Sequence, residues 1–334
     1  MKCVKVPLRQ LNDTRIKLME AGQMNMEYKI KACEEYGYIP VNDDVEGYEI
    51  VCMRLEAMPK VARSFSELLE GELDSDEIEN LRTSFDTIGD IVILEIPENL
   101  EDKKQIIGDA ALKFTKRKAI YMKRSAIKGT TRVRDLEFLA GTDDSVTIHK
   151  EHGTRLKLDV REVYFSPRLA TERKRVMESV NDGENILDMF CGIGPFPIVI
   201  ARNKDVKITA VDINESAIKY LNENINLNKL KGSIETYCGD IAEVSKSFNS
   251  KFDRIIMNLP GLAYTFLDLA VDLIEDGGII NYYEFSDSYE QGIKRLESAC
   301  SKKNKQVEII NCRKVKSTSP GEWHVAIDGR VTNK

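Results

Sequence analysis

The stretch ILDMFCGIGPFPIVIARNKDVKITAVDIN, residues 186–214, most narrows what this chain can fold into. An apolar strand runs into a turn carrying Gly192 and Gly194, then an apolar helix, a second strand and, at its end, Asp212. That order predicts a parallel βαβ unit. Glycines after the first strand let the backbone approach a ligand at the helix N-terminus. A dinucleotide fingerprint asks for Gly or Ala at a third position, to pack helix on strand; here Pro197 stands there, after Pro195 and Phe196. Prolines in the first helical turn are tolerated because those amides have no intrahelical partner, but pyrophosphate cradling is disfavoured. Asp212 is placed to accept hydrogen bonds from both ribose hydroxyls, and Asn214 suits the N-cap of NESAIKYL. The combination points to adenosine.

From about Thr171 strands and helices continue to alternate to the end of the chain, which predicts a doubly wound parallel sheet of Rossmann-like type. Before it, residues 1–61 read as a small α+β domain. Its strand candidates are CVKVP, EYKIKAC and YGYIPV, and its helix is NDTRIKLMEAG. Residues 62–170 read as an α+β platform, antiparallel in expectation, with DSVTIHKEHGTRLKLDVREVYFS turning at His152-Gly153. Residues 171–334 form the domain of the glycine turn. Apolar runs such as FPIVIA fall far short of the ~18 residues that cross a bilayer, and MKCVKVPLRQLND lacks a secretory apolar stretch, so a cytoplasmic location is expected. The seven cysteines are scattered without a CxxC, and the three histidines lack metal-ligand spacing, so buried thiols are expected and no metal.

The net charge of −6 hides a local asymmetry. KFTKRKAIYMKRSAIKGTTRVR, residues 113–134, holds nine Lys or Arg and no acid, with Phe114 and Tyr121 interleaved. One reading is a clamp for RNA phosphates; the other is a solvated helix face followed by a loop.

Four further pieces stand in order. They are DMFCGIG, with Asp188, Phe190, Gly192 and Gly194; VDI, with Asp212 and Ile213; GD, with Asp240; and NLP, with Asn258 and Pro260. Over about residues 186–284 this order resembles the class I S-adenosyl-L-methionine-dependent methyltransferases. The resemblance implies that these residues hold that cofactor, with S-adenosyl-L-homocysteine as product. VYFSPRLATER at 163–173 and RVRDLEFLAG at 132–141, together with NLP, look like the archaeal and eukaryotic-type tRNA (guanine-N1)-methyltransferases that act at guanosine 37. That likeness runs through nearly the whole chain, including the small N-terminal domain.

The family likeness implies a set of roles. Glu172 is the general base for the N1 proton, Arg132 stabilises charge growing on O6, and Asn258 holds the guanine edge. Arg168, also placed in the cofactor set, and Arg173 orient the segment or bind phosphate. The target base is splayed out of the anticodon loop, the N-terminal domain checks the L shape of tRNA, and the enzyme is a monomer with no DNA partner. Departures from the family pattern are Gly261 after NLP, Cys191 and Pro197. Rival readings are a wyosine-pathway enzyme, which transfers an aminocarboxypropyl group or methylates a carbon of a tricyclic guanosine, and a non-catalytic RNA-binding protein.

Overall fold

The computed structural model describes residues 1–58, 62–124, 134–319 and 321–334. It divides into two compact units, Met1–Arg63 and Ser64–Lys334.

In the first unit, alternation along Lys2–Pro7 turns Val4 and Val6 inward, where Leu18 of the helix Leu11–Glu20 meets Ile39 and Val41. The four strands lie in the order Lys31–Ala32, Tyr36–Pro40, Lys2–Pro7, Glu49–Cys52. The strand expected over EYKIKAC shrinks to Lys31–Ala32, an exposed two-residue edge. Glu49–Cys52, which the sequence reading does not include, pairs antiparallel with Lys2–Lys5 on the other side.

The second unit begins with a platform sheet in the order Asp86–Ile88, Ile91–Leu94, Ala119–Lys123, Leu136–Gly141. The expectation of an antiparallel platform is corrected at its centre: Ile91–Leu94 and Ala119–Lys123 are parallel. The helix Lys104–Thr115 between them carries the chain back to the starting end, as a parallel pair requires. The described part of the basic window, residues 113–124 and 134, folds into this platform. Its middle is a buried strand, Tyr121 is fully enclosed with its hydroxyl on Asp143, and Phe114 packs against the platform core. The Tyr121 ring is not free to stack on a base. Several of the cations have acidic partners too: Lys118 faces Asp144, Lys123 faces Asp86, and Arg124 pairs with Glu101 and Glu137.

The hairpin Val146–Glu151 and Thr154–Asp159 turns as expected at His152 and Gly153, both at positive φ, but forms a two-stranded sheet of its own. Its outer edge is satisfied by side chains instead of a third strand. Asn224 accepts from the Lys157 amide at 2.7 Å and donates to the Lys157 carbonyl at 3.1 Å, and Asn228 does the same for Arg155.

The remaining sheet consists of β1 (Asn185–Asp188), β2 (Lys207–Asp212), β3 (Ser233–Cys238), β4 (Phe252–Met257), β5 (Ile274–Ser286), β6 (Lys305–Ser319) and β7 (Glu322–Asn333). Their order is β3-β2-β1-β4-β5-β7-β6, with β1 to β5 parallel and β7 antiparallel to both neighbours. Helices α1 (Ala170–Ser179), α2 (Pro195–Asn203), α3 (Glu215–Leu227), α4 (Ile241–Val244), α5 (Leu267–Leu273) and α6 (Glu290–Lys302) cover it. Each face has its own apolar core, as strands buried on both sides demand. The β6–β7 ladder contains three register shifts, between Ile309 and Asn311, Lys314 and Lys316, and Ser317 and Ser319. The strand order, which runs outward as β1-β2-β3 on one side, switches to β4-β5 on the other side of β1, and the carboxyl ends of β1 and β4 open the crevice where such sheets bind ligands. No described helix is long and apolar enough to cross a membrane.

Candidate active site

A cavity of about 1080 Å³, open mouth included, sits in that crevice. Its walls come from the β1–α2 turn (Phe190, Gly192), the end of β2 (Asp212, Ile213), the β3–α4 turn (Gly239, Asp240) and the segment after β4 (Asn258, Leu259, Leu262, Phe266). Tyr164 and Phe165 close it from the segment before α1. Phe190 and Phe266 meet edge to face at 5.2 Å.

The glycine turn is built as the sequence predicts. Gly192 and Gly194 both have positive φ, Gly194 precedes the first turn of α2, and Pro195 takes its first position. A Cβ on Gly194 would stand 2.2 Å from Leu221 Cδ1. Asp212 holds the turn closed, accepting the Gly192 amide on Oδ2 at 2.7 Å and the Asn214 amide on Oδ1 at 2.9 Å. Each oxygen keeps acceptor capacity toward the cavity. Burial raises the Asp212 pKa, and those amides oppose the rise. Asn214 caps α3 through Ser216, and Asp240 caps α4 through Ala242 while still facing the cavity.

Asp188 lies behind the turn, 1% exposed. Oδ1 accepts the Phe190 amide at 3.3 Å, and Oδ2 has no hydrogen-bond partner among the described residues. Burial pushes its pKa up to about 8, the Phe190 amide opposing and the Asp212 charge adding. An orphaned buried carboxylate beside an apolar, adenosine-sized crevice suits a cationic ligand. The residues present therefore fit S-adenosyl-L-methionine, whose sulfonium and ammonium are both positive.

The other expected residues divide. Asn258 and Ile213 line the cavity; Pro260, just beyond Asn258, accepts the Phe285 amide at 3.3 Å and fixes the loop to β5. Arg168 stands apart from the cavity lining, its Nε donating to Asp86 Oδ1 at 2.6 Å. Arg173 reaches the lining, buried and bidentate on Glu151 at 2.6 and 2.5 Å. Glu172, 1% exposed on the first turn of α1, is outside the described lining and faces Arg175, Tyr283 and Arg313. Arg132 lies outside the described residues. Sequence reasoning missed Phe266, Arg175, Tyr283 and Asp328. Arg175 and Asp328 are 153 residues apart and meet only through the fold.

Comparison with known proteins agrees with this construction. The model of the TRM5/TYW2 methyltransferase domain matches residues 147–310, the TYW2 N-terminal domain residues 65–144, and the tRNA methyltransferase 5 N-terminal domain residues 3–49. A curated relative, the tRNA (guanine(37)-N(1))-methyltransferase Trm5b of Pyrococcus abyssi, is 43% identical, over 98% of each chain. The tRNA(Phe) (4-demethylwyosine(37)-C(7)) aminocarboxypropyltransferase of Methanocaldococcus jannaschii is 34% identical, over 74% of this chain and 97% of its own. A solved complex of aTrm5 and tRNALeu is similar with a TM-score of 0.83, 37% identity and 99% of both chains covered. The Methanocaldococcus jannaschii Trm5 in complex with adenosine has a TM-score of 0.70, with 36% identity and all of both chains covered. With that sheet order, that crevice and full-length similarity of this degree, the chain is an enzyme of the TRM5/TYW2 methyltransferase family.

Proposed function

We propose that this enzyme transfers the methyl group of S-adenosyl-L-methionine to N1 of guanosine 37 in tRNA, as a cytoplasmic monomer. The carrying observation is that Asn258 lines the same cavity as the glycine turn, Asp212 and Asp240, so one crevice presents both a cofactor cradle and an amide suited to a base edge. The bound cofactor supplies an electrophilic methyl group on sulfur. The chain's own residues do the rest: Asp188 and Asp212 hold and orient, and the apolar walls exclude water. In this reading Glu172 takes the N1 proton and Arg132 offsets the charge growing on O6.

The test is transfer of a labelled methyl group to an unmodified tRNA transcript bearing guanosine 37, beside the same transcript with adenosine there. Formation of 1-methylguanosine on the first alone supports the reading. Product on neither transcript, with cofactor bound, removes it. The match of residues 65–144 to the TYW2 N-terminal domain supports a second reading, transfer of the aminocarboxypropyl group of the same cofactor to a wyosine intermediate. Mass analysis of the product nucleoside separates the two.

A further inference from the structure

We infer that Arg175, braced by Asp328, and Tyr283 are positioning residues that set which oxygen of Glu172 takes the guanine proton; this rests on the reading of Glu172 as the general base. The two oxygens are held unequally. Oε1 accepts Arg175 Nη2 at 2.6 Å, the Tyr283 hydroxyl at 2.8 Å and Arg175 Nε at 3.2 Å. Oε2 has Arg175 Nε at 3.1 Å and Arg313 Nε at 3.5 Å, and Arg313 is the more exposed guanidinium. Oε1 is therefore the anchor, with its lone pairs committed to short bonds, and Oε2 is the oxygen with acceptor capacity left.

The anchor cannot swing away. The far edge of the Arg175 guanidinium donates to Asp328 at 2.6 and 3.2 Å. Asp328 is fixed in turn by Asn281 at 2.6 Å and Asn311 at 3.2 Å, and Asn281 accepts from Arg254 at 3.1 Å. Tyr283 is enclosed between Phe196 and His324, and stays a donor because burial and the nearby Glu172 and Asp328 carboxylates raise its pKa well above the ordinary value. The charged groups of the cluster are thus Arg175 on α1, Arg313 on β6 and Asp328 on β7, two guanidiniums against the two carboxylates Asp328 and Glu172.

In the step itself the N1–H pair becomes the new bond to the methyl carbon, the carbon–sulfur pair returns to sulfur, and the proton passes to Oε2. Protonation leaves the cluster net positive, and passage of the proton on to solvent resets the base.

The experiment compares single-turnover methylation rates, cofactor affinity and tRNA KM for Tyr283→Phe, Asp328→Asn, Arg175→Lys, Arg175→Gln and Glu172→Gln. Expected for Tyr283→Phe and Asp328→Asn is a rate loss of about tenfold with cofactor affinity and KM within about twofold. Arg175→Lys retains more rate than Arg175→Gln. Parental rates in Tyr283→Phe and in both Arg175→Lys and Arg175→Gln, with Glu172→Gln inactive, overturn the positioning role and leave the base reading standing. Parental rate in Glu172→Gln overturns the base reading and the inference together. Thermal melts accompany each variant; where Asp328→Asn does not fold, Tyr283→Phe and Arg175→Lys decide.

Discussion

Asp188 is a buried carboxyl whose protonation the fold strongly disturbs. Its pKa is pushed up to about 8 by burial, against ~3.9 in an unfolded chain. Between those values the folded state binds the extra proton, so the Asp188 contribution to the stability of the ligand-free enzyme falls as pH rises from about 4 to 8. Urea denaturation at pH 5 and pH 8 measures this, and Asp188→Asn removes the Asp188 part of the slope. The same proton must leave when a cation binds, so affinity for S-adenosyl-L-methionine strengthens as pH climbs toward 8 in the parent and not in Asp188→Asn. Calorimetry in two buffers reads the released proton. At Gly194, φ of 82° and the 2.2 Å approach to Leu221 predict that Gly194→Ala costs about 2 kcal/mol or more, seen as a lower urea midpoint. The cradle residues were legible because each sits at a strand end fixed by local pattern. The surroundings of Glu172 were not, since Arg175 gives no local sign of Asp328.

Elements were read with uneven success for a physical reason. β1 to β5 and their helices announce themselves by period and by capping residues such as Asn214 and Asp240. The direction of Ala119–Lys123 depends on the path of the helix before it, and the separation of the hairpin depends on two asparagines of a distant helix. Asn224 is the clearer case: fully buried, it serves the Lys157 amide and carbonyl and also donates to the Ile193 carbonyl at 3.1 Å, inside the glycine turn. Asn224→Ala leaves these groups without their partner and is expected to cost about 3 kcal/mol. Because Ile193 lies between the two turn glycines, cofactor affinity falls several-fold in the same variant, measured by equilibrium dialysis.

At the scale of the whole molecule, every described residue lining the cavity falls between Tyr164 and Phe266, and Met1–Arg63 has its own core. A chain lacking residues 1–63 is therefore expected to bind S-adenosyl-L-methionine within about twofold of the parent while methylating full-length tRNA poorly, checked by parallel binding and transfer assays. The outermost strand, β6, has a further bearing on how copies meet. Strand edges invite another chain where their free amides recur evenly. On β6 three slips of register break that rhythm, and Lys314 and Lys316 lie along the strand. A neighbouring molecule finds no continuous seam along β6 to zip against, so this edge does not template a ribbon of copies.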